Sequence, residues 1–481
     1  MRDRMWHVLS VTTLASFLAG LNARLAVVGL PTIAESLKAD LEQAFWITQG
    51  FMLGSTAVQL VAGRLADLYG RVRLFSFGFI LFAVGALLSG LSPSPIAIIA
   101  SRIVQGAGSA FLMSLSVVIL TDNAPKERLG TWLGVNQTAW RAGAIVGLSV
   151  SGFVIDLLGW RWLFLGQVPI ALASYFWARS RLEEAYRPAE EAVVDWAGFF
   201  LFTTAVSALL AGLTLYVYGS HRLLSYALLA SVPPLLAGFA LYELKAEAPA
   251  MDLRIFRNWQ YTGGVIAGTL YSVAFGATSI LLSLYLQTVR GLSATATGLA
   301  LLPFEATYMA FGVAGGRLSD RFGFVPVTIA GLAAGSLALY LLGALASSGQ
   351  AALPAFIAAT CLFGVGTGLF SAPNTSSVMS AVEPHRRGVA SSVRGVLFNV
   401  GFTASLNMAV LSISTAVPFE EASALIAGSA SVPADLLGLA RGIGRAFWAQ
   451  AVAMALAIPF SASRRKASHG GRKAAGSRSA S

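Results

Sequence analysis

Gly63-Arg64-Leu65-Ala66-Asp67-Leu68-Tyr69-Gly70-Arg71 returns in the second half of the chain as Gly316-Arg317-Leu318-Ser319-Asp320-Arg321-Phe322-Gly323. Each copy follows a long apolar segment and precedes another, so each reads as a short charged loop between two apolar helices. A loop repeated in this way implies two structurally equivalent halves. Halves that rock against each other about a site near the bilayer midplane are a common architecture of carriers.

Composition agrees with a membrane location. Of 481 residues, 56% are hydrophobic and only 11% are charged, which is too apolar for an ordinary soluble protein. Fourteen apolar segments have the roughly 18–25 residues needed to cross a bilayer as a helix. They run at about 7–33, 44–66, 74–91, 95–119, 131–155, 160–178, 194–216, 223–243, 260–287, 296–316, 326–346, 353–380, 388–416 and 442–461. The expected fold is an all-α polytopic membrane protein.

The net charge of +11 does not point to nucleic acid, because the basic residues follow a topological pattern. Of 33 Lys and Arg residues, 23 lie at the termini or around the even-numbered loops, and six lie around the odd-numbered loops. That positive-inside bias places both termini and both copies of the phrase in the cytoplasm of a cell with this protein in its plasma membrane. The basic stretch 464–481 reads as a disordered cytoplasmic tail. The first apolar run is too long for the core of a signal peptide and is taken as the first span.

Enzymatic function has little support. None of Lys38, Lys126, Lys245, Lys466 and Lys473 precedes Ser or Thr, so the phosphate-binding Gly-Lys-Ser/Thr loop is absent. His7, His221, His385 and His469 are scattered, and no metal-binding spacing occurs. The single Cys361 forms no intrachain disulfide. No catalytic residue, metal or cofactor is expected. The energy for any transport is then an ion gradient or the gradient of the substrate.

Several phrases together carry a family likeness. They are Gly63, Asp67 and Arg71; Arg102, Gln105 and Gly106; Trp160-Arg161-Trp162-Leu163-Phe164 with Gln167-Val168-Pro169; Tyr285-Leu286-Gln287; and Gly298-Leu299-Ala300-Leu301-Leu302-Pro303. In that order they resemble the major facilitator superfamily, in particular its fourteen-span drug:proton antiporter branch, over nearly the whole chain. The resemblance implies two pseudo-symmetric six-helix bundles, residues 1–185 and 258–463, with two additional transmembrane helices in 186–257. Independently, Pro125 to Gly143 reads like Pro384 to Gly401, with Arg128 matching Arg387. In this fold spans 1, 4, 9 and 12 line the central cavity, and 2, 5, 10 and 13 form the interface between bundles.

The repeated phrase then has a physical logic as a conformational latch. Gly63 and Gly316 permit close helix approach. A carboxylate at Asp67 or Asp320 is favoured beside a helix N-terminus of the opposite bundle, and Arg71 is placed to hold Asp67 there. The second copy has Phe324 where the first has Arg71. The bland alternative is that all of these are solvated loop charges.

Charges inside spans mark mechanism, since each costs about 2.5–3.5 kcal/mol at mid-bilayer. Arg24, Arg102, Arg141, Glu305 and Arg394 occupy spans 1, 4, 5, 10 and 13, all assigned by the resemblance to the cavity or the interface. At about 1.5 Å per residue, Arg141 and Glu305 both lie roughly 15 Å deep, so a pair between them is expected, with Glu305 as the protonation switch. Arg102, Gln105 and Ser109 share one face of span 4. The resemblance gives Arg102 a part in proton or substrate handling; snorkelling to the outer surface is the alternative.

Two departures matter. Where the drug-exporting branch has Leu-Asp-x-Thr in span 1, this chain has Leu21-Asn22-Ala23-Arg24. Where it has Gly-Pro-x-x-Gly-Gly in span 5, this chain has Gly147-Leu148-Ser149-Val150-Ser151-Gly152. Four intramembrane arginines against one glutamate favour anionic or zwitterionic substrates. The expected activity is outward, proton-coupled, multidrug-type transport of a small organic molecule by a monomer. The alternatives are a facilitator or importer of an organic anion, and a non-transporting receptor on the same scaffold.

Overall fold

The structure, a computed structural model, describes residues 2–185, 194–218, 221–247, 249–349, 352–427 and 435–476. Among them every regular element is helical. In order they are α1 (Arg2–Leu37), α2 (Leu41–Tyr69), α3 (Arg71–Leu91), α4 (Pro95–Asn123), α5 (Leu129–Leu158), α6 (Trp162–Leu165), α7 (Gln167–Arg181), α8 (Trp196–Tyr218) and α9 (Arg222–Glu243). There follow α10 (Trp259–Phe275), α11 (Thr278–Leu284), α12 (Ala294–Phe322), α13 (Phe324–Ser347), α14 (Leu353–Ser380), α15 (Arg387–Ile413), α16 (Phe419–Ala427) and α17 (Leu436–Gly476). A backbone crossing lipid must satisfy its own N–H and C=O groups, and the helix does so within one segment.

Twelve helical segments among the described residues are long and apolar enough to cross a membrane. Two of the fourteen expected segments are not among them. Segment 44–66 lies in α2, whose length suffices but which carries Gln49, Gln59, Arg64 and Asp67. Segment 160–178 is broken at Gly166 into α6 and the 15-residue α7.

Local chemistry sets the helix ends. Asp40 caps α2 by accepting from Gln43 N at 2.8 Å, and Gln43 Oε1 accepts from Asp40 N at 3.2 Å, which satisfies two donors reciprocally. The repeated phrase is not the loop expected from sequence. Its residues continue α2 and α12, and one glycine alone makes each turn: Gly70 has φ 106° and Gly323 has φ 83°. An L side chain rarely adopts such a conformation, so glycine at this place lets each helix turn directly into the next.

The chain divides into two compact units. The first comprises Met1–Pro125, Val135–Leu253 and Val382–Val396; the second comprises Lys126–Gly134, Arg254–Ala381 and Leu397–Ser481. In the first, α4 packs on α1, α2 and α3. Glycines allow this: a Cβ at Gly106 would strike the Phe51 carbonyl, and one at Gly54 the Ile103 carbonyl. The added hairpin α8–α9 also belongs to this unit, where Thr203 Oγ1 of α8 donates to Ala57 O of α2 at 2.9 Å. In the second, α14 packs on α12 and α13, and α17 packs on α10 and α13. The sequence reading leaves 464–481 without structure, whereas α17 continues to Gly476; residues 477–481 lie outside the described residues.

Candidate functional site

Both aspartates of the repeated phrase meet the beginning of a helix. Asp67 Oδ1 accepts from Gly388 N at 3.1 Å and Oδ2 from Val389 N at 3.2 Å, in the first turn of α15. Asp320 Oδ1 accepts from Gly130 N at 2.8 Å and Oδ2 from Thr131 N at 2.9 Å, in the first turn of α5. Unpaired N–H groups and the helix dipole make each such end a carboxylate site. The preceding glycines give the clearance: a Cβ at Gly63 would strike Ser392 Oγ and Gly388 O, and one at Gly316 would strike Gly130 O.

The copies differ in what else holds the carboxylate. Arg71 Nη2 lies 2.7 Å from Asp67 Oδ1, with both side chains almost wholly buried. Arg71 also contacts Asp122 and the Pro384 carbonyl. Asp122 in turn accepts from Arg387 Nη1 at 2.7 Å. The second copy has Phe324 in place of Arg71, and there the Thr131 hydroxyl donates to Asp320 Oδ2 at 2.6 Å. Asp122 and Glu184, the latter capping α3 through Arg71 N and Val72 N, were not legible as partners in the sequence.

Arg102 centres a buried polar cluster in the first unit. It is 2% exposed, so it does not snorkel to the surface. Its Nη1 donates to Asn22 Oδ1 at 2.8 Å and Gln105 Oε1 at 2.5 Å, and its Nε donates to Ile47 O at 3.2 Å. All three acceptors are neutral. The guanidinium lies 4.6 Å from the Phe51 ring centroid and 5.4 Å from that of Phe164. Ring faces attract a cation by about 0.5–2 kcal/mol, yet no acceptor here neutralises the charge. Gln105 Nε2 extends the cluster to Gln167 Oε1 at 3.3 Å, while Asn22 Nδ2 is buried with no hydrogen-bond partner.

The other predicted residues spread over both units. Arg141 of α5 is buried, 5.2 Å from the Trp140 ring centroid; Arg24 of α1 and Arg394 of α15 are half-buried. All three fall in the first unit and Glu305, half-buried on α12, falls in the second. Asn136 joins α1, α4 and α5 by accepting from Ser16 Oγ at 3.0 Å and donating to Ser116 Oγ at 3.2 Å.

The family model of the Major Facilitator Superfamily matches residues 12–405 and 264–473 of the chain. The chain belongs to this superfamily. Among its curated relatives, the riboflavin transporter RibZ of Clostridioides difficile is 28% identical over 82% of this chain and 86% of its own length. The tetracenomycin C resistance and export protein of Streptomyces glaucescens is 28% identical over 86% of this chain and 76% of its own. Among solved structures, the proton:xylose symporter XylE shares 14% identity with a TM-score of 0.67, covering 95% of each chain, which establishes a likeness of fold. The chain is therefore a transporter of the Major Facilitator Superfamily, and its relatives are transporters rather than enzymes.

The largest omission of the sequence reading in this superfamily chain is Arg464, which it assigned to the tail. Arg464 is fully buried in the second unit. Its Nη1 donates to Asn374 Oδ1 at 2.9 Å and Ser377 Oγ at 3.2 Å, and its Nη2 donates to Thr328 Oγ1 at 3.3 Å and to Ser461 Oγ. One guanidinium thus ties α17 to α13 and α14. Arg464→Ala leaves the buried Asn374 Oδ1 without its donor, at about 1–3 kcal/mol before relaxation, while Thr328 and Ser461 keep their bond to each other. We expect a melting temperature several degrees lower in detergent. A melting curve matching that of the wild type would refute a clasping role.

Proposed function

We propose that this chain is a secondary active transporter that exports a small organic molecule across the cell membrane by alternating access, driven by protons. The observation that carries the reading is the pair of matched contacts at Asp67 and Asp320. One carboxylate in each unit holds the first turn of a helix through two N–H groups. Hydrogen bonds of this kind are discrete and reversible, which is what a two-state latch requires. The names of the export and transport relatives support the direction and the substrate class. We read α2 and the segment α6–α7 as two further crossings, giving fourteen spans in two pseudo-symmetric bundles with α8 and α9 added. Both termini are then cytoplasmic, and a monomer suffices.

Glu305 is the proposed proton carrier, with Arg141 as its proposed partner. Protonation of the glutamate would release the arginine and change the balance between states. The test is transport into inside-out proteoliposomes under an imposed pH gradient. Glu305→Gln is expected to abolish gradient-driven accumulation while leaving downhill exchange in place. Accumulation at the wild-type level would refute the role of Glu305.

A second reading is favoured by one observation. Arg102 is a buried cation whose acceptors are all neutral. A site centred on it suits an anionic or zwitterionic molecule, moved as a facilitator or an exchanger.

A further inference from the structure

The added hairpin closes on two buried carboxylates that the transport reading does not use. Asp195, 8% exposed, precedes α8 and caps it: its Oδ1 accepts from Gly198 N at 2.9 Å. The same oxygen accepts from Tyr242 OH at 3.1 Å, and Oδ2 accepts from Ala250 N at 3.3 Å. Glu243, 5% exposed, is the last residue of α9, and its Oε2 accepts from Met251 N at 3.1 Å. These bonds gather the start of α8, the end of α9 and the segment at 250–251 around one point.

At that point one atom is left over. Glu243 Oε1 is buried and has no hydrogen-bond partner. A Cβ built on Gly198 would strike both Glu243 Oε1 and Asp195 Oδ2, so the two oxygens converge above that glycine. Arg64 of α2 is the cation whose charge bears on Glu243, yet no ion pair joins them, and Arg64 Nε is itself buried without an acceptor. Tyr242 donates to Asp195, while Lys245 and Glu247 just beyond α9 are exposed. Two buried carboxylate oxygens set close together, with the nearby Ala250 N–H already donating to Asp195 Oδ2, are a poor buried arrangement for two charges.

We propose that Glu243 and Asp195 form a proton-binding site, in which Glu243 holds a proton on Oε1 and donates it to Asp195 Oδ2. The proton comes from water and returns to it, and no other bond changes. Bound, it converts two repelling carboxylates into one hydrogen-bonded pair and clasps the hairpin beside Arg64 of the repeated phrase. Released, it leaves adjacent buried charges that force the clasp apart. The site is independent of any substrate and of the direction of transport.

The sign of the pH dependence follows. The folded chain holds a proton that the unfolded chain gives up, so stability falls as pH rises through the range where Glu243 loses it. The test compares the purified full-length wild type with Glu243→Gln in melting curves from pH 5.5 to pH 8.5. The glutamine amide keeps a donor toward Asp195 at every pH. We expect the variant to lose most of the wild-type decline and to melt higher than the wild type at the alkaline end. An unchanged slope, or a variant that melts lower throughout, overturns the proposal. Infrared difference spectra at neutral pH supply a second readout that does not depend on stability. A protonated-carboxyl band present in the wild type and missing from Glu243→Gln supports the site, and identical spectra overturn it.

Discussion

Asp67→Asn is expected to reduce transport at least tenfold while the protein still folds. The amide keeps the size of the side chain and one oxygen for the α15 N–H groups, so the change is one of charge. That charge is paired with Arg71, 1% exposed, through bonds of 2.7 and 3.1 Å. Breaking a buried ion pair from one side costs about 3–5 kcal/mol, and Arg71 keeps Asp122, which places this case near the lower end. About 3 kcal/mol is more than two decades in the equilibrium between two conformations. Asp320→Asn is the internal control. Its carboxylate is held by two N–H groups and a hydroxyl and by no arginine, so the amide retains most of the contacts and the loss is about 1 kcal/mol. Transport in proteoliposomes, normalised to folded protein by size-exclusion chromatography, measures both. Equal effects of the two substitutions would show that the charge pair is not what distinguishes the first copy.

The contrast between these copies marks how far the sequence carries the structure. The repeat, the Asp at its centre and the Arg71-to-Phe324 difference were all legible, because they are adjacent in the chain. What compensates for Phe324 was not, since Thr131 lies far away in sequence and nothing about it announces a hydroxyl aimed at Asp320. Asp122 and Glu184 were invisible for the same reason: each looks like an ordinary charge at a helix end until the helices are packed. Arg464 was concealed by its neighbours. It begins a run of basic residues that composition assigns to a tail, and only the register of α17 against α13 and α14 buries it. Span counting was limited by polarity in α2 and by the break at Gly166, features that hydropathy and length weigh differently. Asp195 and Glu243 flank apolar segments, and nothing in the sequence marks them as buried.

Asn22→Asp is expected to abolish the preference of the Arg102 cluster for anions. The side-chain oxygen at Asn22 already lies 2.8 Å from Arg102 Nη1, so a carboxylate in its place forms a charge-assisted bond without moving the backbone. Asn22 Nδ2, buried and without an acceptor in the wild type, is removed at the same time. On the anion reading, a substrate carboxylate would supply the missing counter-charge and gain Arg102 and the orphaned amide together. In the variant the protein supplies that charge itself, and an incoming anion meets a neutral pair. Hydrogen bonds between charged groups contribute about 1.5–3 kcal/mol each, so anion affinity should fall roughly ten- to a hundredfold. Arg102→Gln should abolish the anion preference as well, because it removes the positive charge. Carboxyfluorescein and rhodamine 6G share a ring system and differ in charge, which makes them suitable probes. Titrating each into the purified wild type and both variants, with fluorescence polarisation as the readout, gives the three preferences directly. Wild-type protein that prefers the cation, or Asn22→Asp that binds the anion as well as the wild type does, would remove Arg102 from substrate recognition and leave it as a packing element of α4.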